Sequence, residues 1–290
     1  PSLAAHFIQR GVPLIPLEAG ARAFVAEVES ADDAVEILVV AGQIATHPRT
    51  AAEITVNSRT HDYLADHAPA GTPVLPLAMA LEWFAAASGG TRLCDVRVLS
   101  RIDLPDLAAG HRFTIEGQLD LRLHSSAGVH YRARLAEPGN APATALNAPQ
   151  GAAVDNVYDS PALFHGPRFQ TLQRLDALSD SGADARIVGV RRMDWPEGPW
   201  WTDPAAIDGA LQAAVLWARH ATGDATLPMG LDELRIHRTS PAPGPLRCLV
   251  QAGPVHDGQT TCDIVLLDED GQPRVELLGV NLISRPDLAP

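Results

Sequence analysis

The chain has 290 residues, against roughly 100–200 for one domain, so two units or one large fold are expected. Hydrophobic residues make up 46% and charged residues 20%, which allows a sizeable core and excludes disorder throughout. Net charge is −13, all 22 basic residues are Arg, and there is no Lys. That rules out a P-loop lysine, a Schiff-base lysine and a kinase-type lysine. An acidic chain is also a poor partner for nucleic acid, whose binding rests on phosphate neutralisation. No apolar stretch approaches the length of a membrane span.

Chain order begins with PSLAAHFIQRG, which lacks the parts of a secretory signal and a starting Met, as expected of a piece of a longer protein. Residues 10–41 read as a short strand (VPLIPL), a helix (AGARAFVAEV) and a strand (EILVV), an α/β pattern that nothing later repeats. Next comes an extended segment (AAEITVN), a loop punctuated by Gly and Pro (HAPAGTPVLP), and a helix over about 76–88. The segments DVRVLSRIDL, HRFTIEGQLDLRL and VHYRARLAE alternate apolar and polar residues as half-buried antiparallel strands do. Residues 137–153, rich in Pro, Gly, Asn and Ala, read as a surface linker.

The second half has the same plan. ARIVGVRRM alternates like a strand, and a helix follows over about 204–221. Three more extended stretches come after it: ELRIHRT with its lead-in, LRCLVQAG, and a hairpin DIVLLDED–GQPRVELLGVNLIS. A helix followed by an antiparallel run, done twice, predicts a helix wrapped by a curved sheet, duplicated. Leu77, Leu81, Phe84 and Ala85 mark one face of the first helix; Ile207, Leu211, Ala214, Val215 and Ala218 mark one face of the second. Both helices carry small residues nearly all round and are expected to be deeply buried. On the second, Asp208 and Gln212 project from one side, a turn apart.

His67 opens a string leading through Gly71 to Pro76 and into the first helix. It reads either as a loop histidine or as a base. Gly71 permits close approach of a backbone N–H, and Pro76 suits a helix start. The free N–H groups there can polarise a carbonyl oxygen. A base beside such donors is what removal of a proton α to a carbonyl requires. Asp208 likewise reads either as a carboxylate favoured by the helix N-terminus or as an acid.

His67-x-x-x-Gly71-x-x-x-x-Pro76 resembles the H-x-x-x-G-x-x-x-x-P motif of dehydratase domains from polyketide and fatty-acid synthases. Three further segments match in order. Phe164-His165-Gly166-Pro167-Arg168-Phe169-Gln170 is similar to the family's Y-G-P-x-F-Q, with His165 where many members have Tyr. Residues 203–212, DPAAIDGALQ, are similar to H-P-A-L-L-D-x-x-L-Q, with Asp203 in place of His. Leu227-Pro228-Met229-Gly230 resembles L-P-F-S, with two departures. Together the matches span most of 46–290.

The resemblance implies an α+β double hotdog fold, with the His-bearing hotdog at 46–136 and the Asp-bearing one at 154–290. It implies His67 and Asp208 as the catalytic pair. Gly71, Pro76, Gln212, His165, Gly166 and Tyr158 are the expected substrate-binding or oxyanion residues. The F-H-G-P form resembles dehydratases of iterative synthases making polyunsaturated fatty acids and enediyne polyenes. Residues 1–45 resemble the tail of a ketoreductase, expected upstream. The implied reaction is loss of water from a β-hydroxyacyl thioester on the phosphopantetheine of an acyl carrier protein. His67 would take the α proton, and Asp208, kept protonated by burial, would protonate the leaving hydroxyl. Isomerisation or cyclisation on the same fold, or an inactive carrier-binding scaffold, are the alternatives. Expected partners are the carrier protein, neighbouring synthase domains and a second copy in a homodimer, with no membrane and no nucleic acid.

No metal or redox cofactor is expected. His61 and His67 flank Asp62 and Asp66, but without one-face spacing or a third ligand. Asp268-Glu269-Asp270-Gly271 reads as a hairpin turn. No G-x-S-x-G or G-x-G-x-x-G occurs. Cys94, Cys248 and Cys262 fit neither a disulfide framework nor a C-x-x-C site, which points to a reducing, cytoplasmic setting. Arg168, Arg174, Arg191 and Arg192 are either a solvated face or a contact for an acidic carrier.

Overall fold

The computed structural model describes residues 15–29, 50–137, 139, 143–256 and 259–285. The chain falls into two compact units, Pro1–Pro48 and Arg49–Pro290. In the first, one helix, α1 (Leu17–Val28), is described, and Leu17 and Phe24 on it are exposed. It begins two residues before the expected helix and ends with it. The strand expected at VPLIPL is not seen in its described part: Ile15 and Pro16 carry no regular structure and Leu17 opens α1. The strand expected at 36–40 lies outside the described residues.

The second unit is built on one twelve-stranded antiparallel sheet. The His67-bearing half supplies β1 (Thr50–Val56), β2 (Arg92–Val98), β3 (His111–Gly117), β4 (Asp120–Ser125) and β5 (Gly128–Leu135). The other half supplies β6 (Ala152–Val154), β7 (Leu172–Ser179), β8 (Gly182–Ile187), β9 (Thr226–Ile236), β10 (Leu246–His256), β11 (Gln259–Leu267) and β12 (Pro273–Ser284). Their order is β1-β3-β4-β5-β2-β9-β12-β11-β10-β8-β7-β6. The two halves join where β2 pairs with β9, with Leu93 opposite Leu234 and Val96 opposite Leu231. The four apolar side chains at this seam are fully buried, so the halves share one core.

One buried helix belongs to each half: α2 (Leu77–Ser88) and α3 (Pro204–Thr222). Leu77 to Ala85 and Pro204 to Ala218 are buried without interruption, as expected from the small residues around both helices. The helices pack on each other. Glu82 of α2 reaches the segment of the other half just ahead of α3, accepting from the Trp201 N–H (2.6 Å), the Thr202 N–H (2.7 Å) and the Thr202 hydroxyl (2.5 Å). This buried carboxylate satisfies donors just ahead of α3 and so fixes where α3 begins relative to α2.

Some local expectations are corrected. ARIVGVRRM is a strand only to Ile187; Val190–Arg192 forms a 3-10 turn instead. The segment 137–153 is not simply a surface linker. Pro149 is buried, the Thr144 N–H donates to Glu276 (2.5 Å), and β6 begins at Ala152. Asp268–Gly271 is the β11–β12 turn, with Asp268 Oδ1 accepting from the Asp270 and Gln272 N–H groups.

Candidate active site

His67 follows a 3-10 turn, Asp62–Asp66, and sits in a loop closed on itself. The Val74 N–H donates to the His67 carbonyl (2.9 Å), and His67 Nδ1 lies 2.8 Å from the Val74 carbonyl. A carbonyl only accepts, so Nδ1 carries the proton and the neutral ring presents the bare Nε2. The ring meets Phe164, Phe169 and His165, with centroids 5.0, 5.2 and 5.3 Å away. Burial among them pushes the imidazole pKa down to about 4, and the Arg101 cation adds to that, against the Val74 bond. His67 is therefore neutral, with Nε2 free of a proton, at neutral pH, as a base must be.

Asp208 sits near the start of α3 and is also buried. Gln212 Nε2 donates to its Oδ2 at 2.7 Å, realising the one-turn pairing expected of these two residues. Gln212 is held in turn: Nε2 also donates to the Phe169 carbonyl (2.8 Å), and Oε1 accepts from the Tyr158 hydroxyl (2.7 Å). The Tyr158 oxygen accepts from the Leu172 N–H (2.9 Å). Desolvation pushes the Asp208 carboxyl up to about 7, with the Gln212 bond opposing it. A carboxyl that keeps its proton near neutral pH can act as an acid. Gly209 beside it has no room for a side chain, since a Cβ would collide with Thr171 Oγ1.

His67, Asp208 and His165 converge. One ligand-type atom from each lies within 4.8 Å of the other two, and His165 Nε2 is 3.6 Å from Asp208 Oδ2. His165 stacks on Phe164 (centroids 4.2 Å, 17°), and its buried Nδ1 has no hydrogen-bond partner. Desolvation and the neighbouring His67 hold it neutral. All three line a cavity of about 170 Å³, together with Pro76, Leu77, Gln212 and Tyr131, and with Arg101 and Arg285.

Three expected site residues stand elsewhere. Gly71 does not line the cavity; its N–H donates to the Ala68 carbonyl (3.0 Å), and its φ of 80° shows that the glycine serves the turn. Gly166 does not line it either; its N–H donates to the Asp66 carbonyl (2.8 Å). Tyr158 acts at one remove, through Gln212. Pro76 lines the cavity but is the cap residue just before α2 rather than its first residue. Sequence reasoning missed Val74, which contributes only backbone and leaves no side-chain signal. Asp66, weighed with Asp62 only as a metal ligand, instead accepts from the Gly166 and Arg168 N–H groups.

Asp203 now has a reason. Its Oδ1 accepts from the Val190 (2.9 Å) and Ala206 (3.1 Å) N–H groups, and its Oδ2 from the Ala242 N–H (2.9 Å). It caps α3 and ties two loops to the helix end that carries Asp208. Arg168 and Arg174 are engaged with Asp62 (2.8 Å) and Asp176 (2.7 Å), whereas Arg191 and Arg192 are exposed.

The family model described as "Polyketide synthase dehydratase N-terminal domain" matches residues 136–290, more than half of the chain. The chain belongs to the polyketide synthase dehydratase family. The dehydratase is 29% identical over 283 aligned positions to a polyunsaturated fatty acid synthase of Thraustochytrium sp., covering 84% of this chain and 10% of that protein. It is 25% identical over 280 positions to polyketide synthase GfsE of Streptomyces halstedii, covering 84% and 7%. The chain thus spans a tenth or less of these relatives. Among solved structures it resembles the dehydratase domain from the CurH module of curacin polyketide synthase (TM-score 0.66, 18% identity, 84% of this chain and 94% of that one). A trans-AT polyketide synthase dehydratase domain from Brevibacillus brevis is similar at TM-score 0.66 and 21% identity, covering 82% and 94%. These likenesses show the double hotdog fold of the dehydratase. By family it is a hydro-lyase. No helix among its described residues is long and apolar enough to cross a membrane.

Proposed function

We propose that this dehydratase removes water from a β-hydroxyacyl thioester through His67 and Asp208. The observation that carries the reading is the meeting of a neutral imidazole and a protonated carboxyl, from different halves, within 4.8 Å across one apolar cavity. His67 Nε2 takes the proton α to the thioester carbonyl. The electrons move through the thioester oxygen and return to form the α,β double bond. Asp208 gives its proton to the β-hydroxyl, which leaves as water. The Leu77 N–H, at the α2 N-terminus and on the cavity wall, is the donor for the thioester oxygen, in place of Gly71. His165 Nε2, beside Asp208, faces the departing hydroxyl. Proton transfer at both ends needs no redox cofactor.

The acyl group arrives on the phosphopantetheine of an acyl carrier protein, for which the exposed Arg191 and Arg192 suit an acidic partner. Residues 1–45 are the end of an upstream ketoreductase, followed by hotdogs over 46–136 and 154–290, and the domain works as a homodimer in the cytoplasm. The test is mass spectrometry of a β-hydroxyacyl carrier protein incubated with the domain. Loss of one water by wild type, and none by His67→Ala, supports the reading. Carrier binding without mass change overturns it in favour of a scaffold.

A further inference from the structure

Asp66 immediately precedes the base, and its bonds lead away from it into the other half of the molecule. Its main-chain carbonyl accepts from the Gly166 N–H (2.8 Å), and its Oδ2 accepts from the Arg168 N–H (2.8 Å). These two donors flank Pro167 on the loop that carries His165. The contact is close: a Cβ on Gly166 would stand 2.7 Å from Asp66 Cγ and 2.9 Å from its Cβ. Further ties surround it. The Arg168 guanidinium returns to Asp62 (2.8 Å), the Arg168 carbonyl accepts from Trp195 Nε1 (2.8 Å), and Trp195 stacks on Tyr63 (centroids 4.1 Å).

The same loop ends at Phe169, whose carbonyl accepts from Gln212 Nε2 (2.8 Å), and that nitrogen also holds Asp208 (2.7 Å). A continuous bonded path therefore runs from the base to the acid: His67, Asp66, the segment Gly166–Phe169, Gln212, Asp208. We propose that Asp66 is a positioning residue of the dehydratase, a strap that sets the separation of base and acid across the junction of the halves. It does not line the cavity and acts through where it places His67. The proposal rests on His67 and Asp208 being the reacting pair.

Removing the Oδ2 acceptor frees the Arg168 N–H and lets the two loops shift. A misplacement of about 1 Å in a reacting group costs on the order of 10²-fold. Asp66→Ala is therefore expected to lower kcat by roughly 10- to 100-fold with a smaller change in KM, since Asp66 itself is not part of the cavity wall. Asp66→Asn keeps an acceptor oxygen for Arg168 and is expected to restore kcat to within a few-fold of wild type. A purely structural tie would show instead as a lower melting temperature with unchanged kcat in the folded fraction. A folded Asp66→Ala with wild-type kcat overturns the proposal, as does a folded Asp66→Asn that is as slow as Asp66→Ala. If Asp66→Ala does not fold, Asp66→Leu, which keeps the side-chain bulk without an acceptor, takes its place: a kcat at least tenfold below that of Asp66→Asn supports the strap, and equal kcat in the two overturns it. Activity surviving in His67→Ala would instead bring down the underlying assignment of base and acid.

Discussion

Gln212 Nε2 donates one hydrogen to Asp208 Oδ2 at 2.7 Å and the other to the Phe169 carbonyl at 2.8 Å, while its Oε1 accepts from Tyr158. All three of its bonds are spoken for, so the amide cannot flip. Asp208 Oδ2 is thereby fixed as an acceptor, which leaves the carboxyl proton on Oδ1. Asp208→Asn keeps the Gln212 bond but has no acidic proton. A positioned acid contributes about 10²–10⁴-fold, and turnover should fall by that factor in a single-turnover assay.

The same substitution should stabilise the fold at alkaline pH. The folded Asp208 carboxyl is raised by desolvation to about 7 from an ordinary value of 3.8. A group raised in the folded state favours folding at low pH, and that advantage is lost as pH rises through the folded pKa. At pH 8 the native protein buries a carboxylate that the unfolded chain would hydrate. Asn carries no such charge, so melting curves at pH 8 should place Asp208→Asn above wild type. The difference should shrink toward pH 5. An identical melting temperature for the two proteins at pH 8 would show that Asp208 is not desolvated.

Catalysis should have a bell-shaped pH dependence. Neutral His67 is gained as pH rises through about 4, and protonated Asp208 is lost as pH rises through about 7. The kcat/KM profile of the free enzyme should therefore rise on the acid side, level off between, and fall on the alkaline side. Asp208→Asn should lose the alkaline limb from its residual rate. A profile flat from pH 6 to 9 would exclude Asp208 as the acid.

The meeting of His67, Asp208 and Gln212 at one cavity was legible in the sequence, because it is made by side chains at fixed spacings. What was illegible has physical causes. The role given to Gly71 failed because a backbone N–H is spoken for by loop closure, which residue types do not reveal. Strand β7 was hidden because register shifts between Leu172 and Arg174, and between Leu175 and Ala177, break its two-residue alternation. The reading of ARIVGVRRM ran too far because Gly189 packs on Asp203, where a Cβ would run into the carboxylate, and the chain turns there. The duplicated helix-and-sheet plan survived because it rests on many residues, with both helices apolar nearly all round.

Gly166→Ala should be damaging although Gly166 does not line the cavity. The added methyl meets Asp66 Cγ at 2.7 Å and Cβ at 2.9 Å, below normal contact. Overpacking of this kind costs about 1–3 kcal/mol. The loop must move, and His67 and His165 move with it. A lowered melting temperature together with reduced kcat is expected. A wild-type melting temperature and rate would mean that the two loops do not meet closely in solution.

Asp203→Ala tests whether this residue, where the family pattern has His, is structural. Its two oxygens accept from three N–H groups, of Val190, Ala206 and Ala242, and the side chain is buried. Loss of a helix cap costs about 0.5–2 kcal/mol. The Val190 and Ala242 donors, left buried and unsatisfied, each cost about 1–3 kcal/mol more. Relaxation and entry of water reduce the sum, so about 3 kcal/mol is the expected loss, read as a fall in melting temperature of roughly 6–12 °C at about 2–4 °C per kcal/mol. Asp203→Asn keeps one acceptor oxygen but turns an NH₂ toward at least one donor, so it should fall between wild type and Asp203→Ala. Neither variant removes a group from the cavity, so kcat per folded molecule should stay within a few-fold of wild type at low temperature. A large loss of kcat in a fully folded Asp203→Asn would show that Asp203 reaches the reaction as well as the helix.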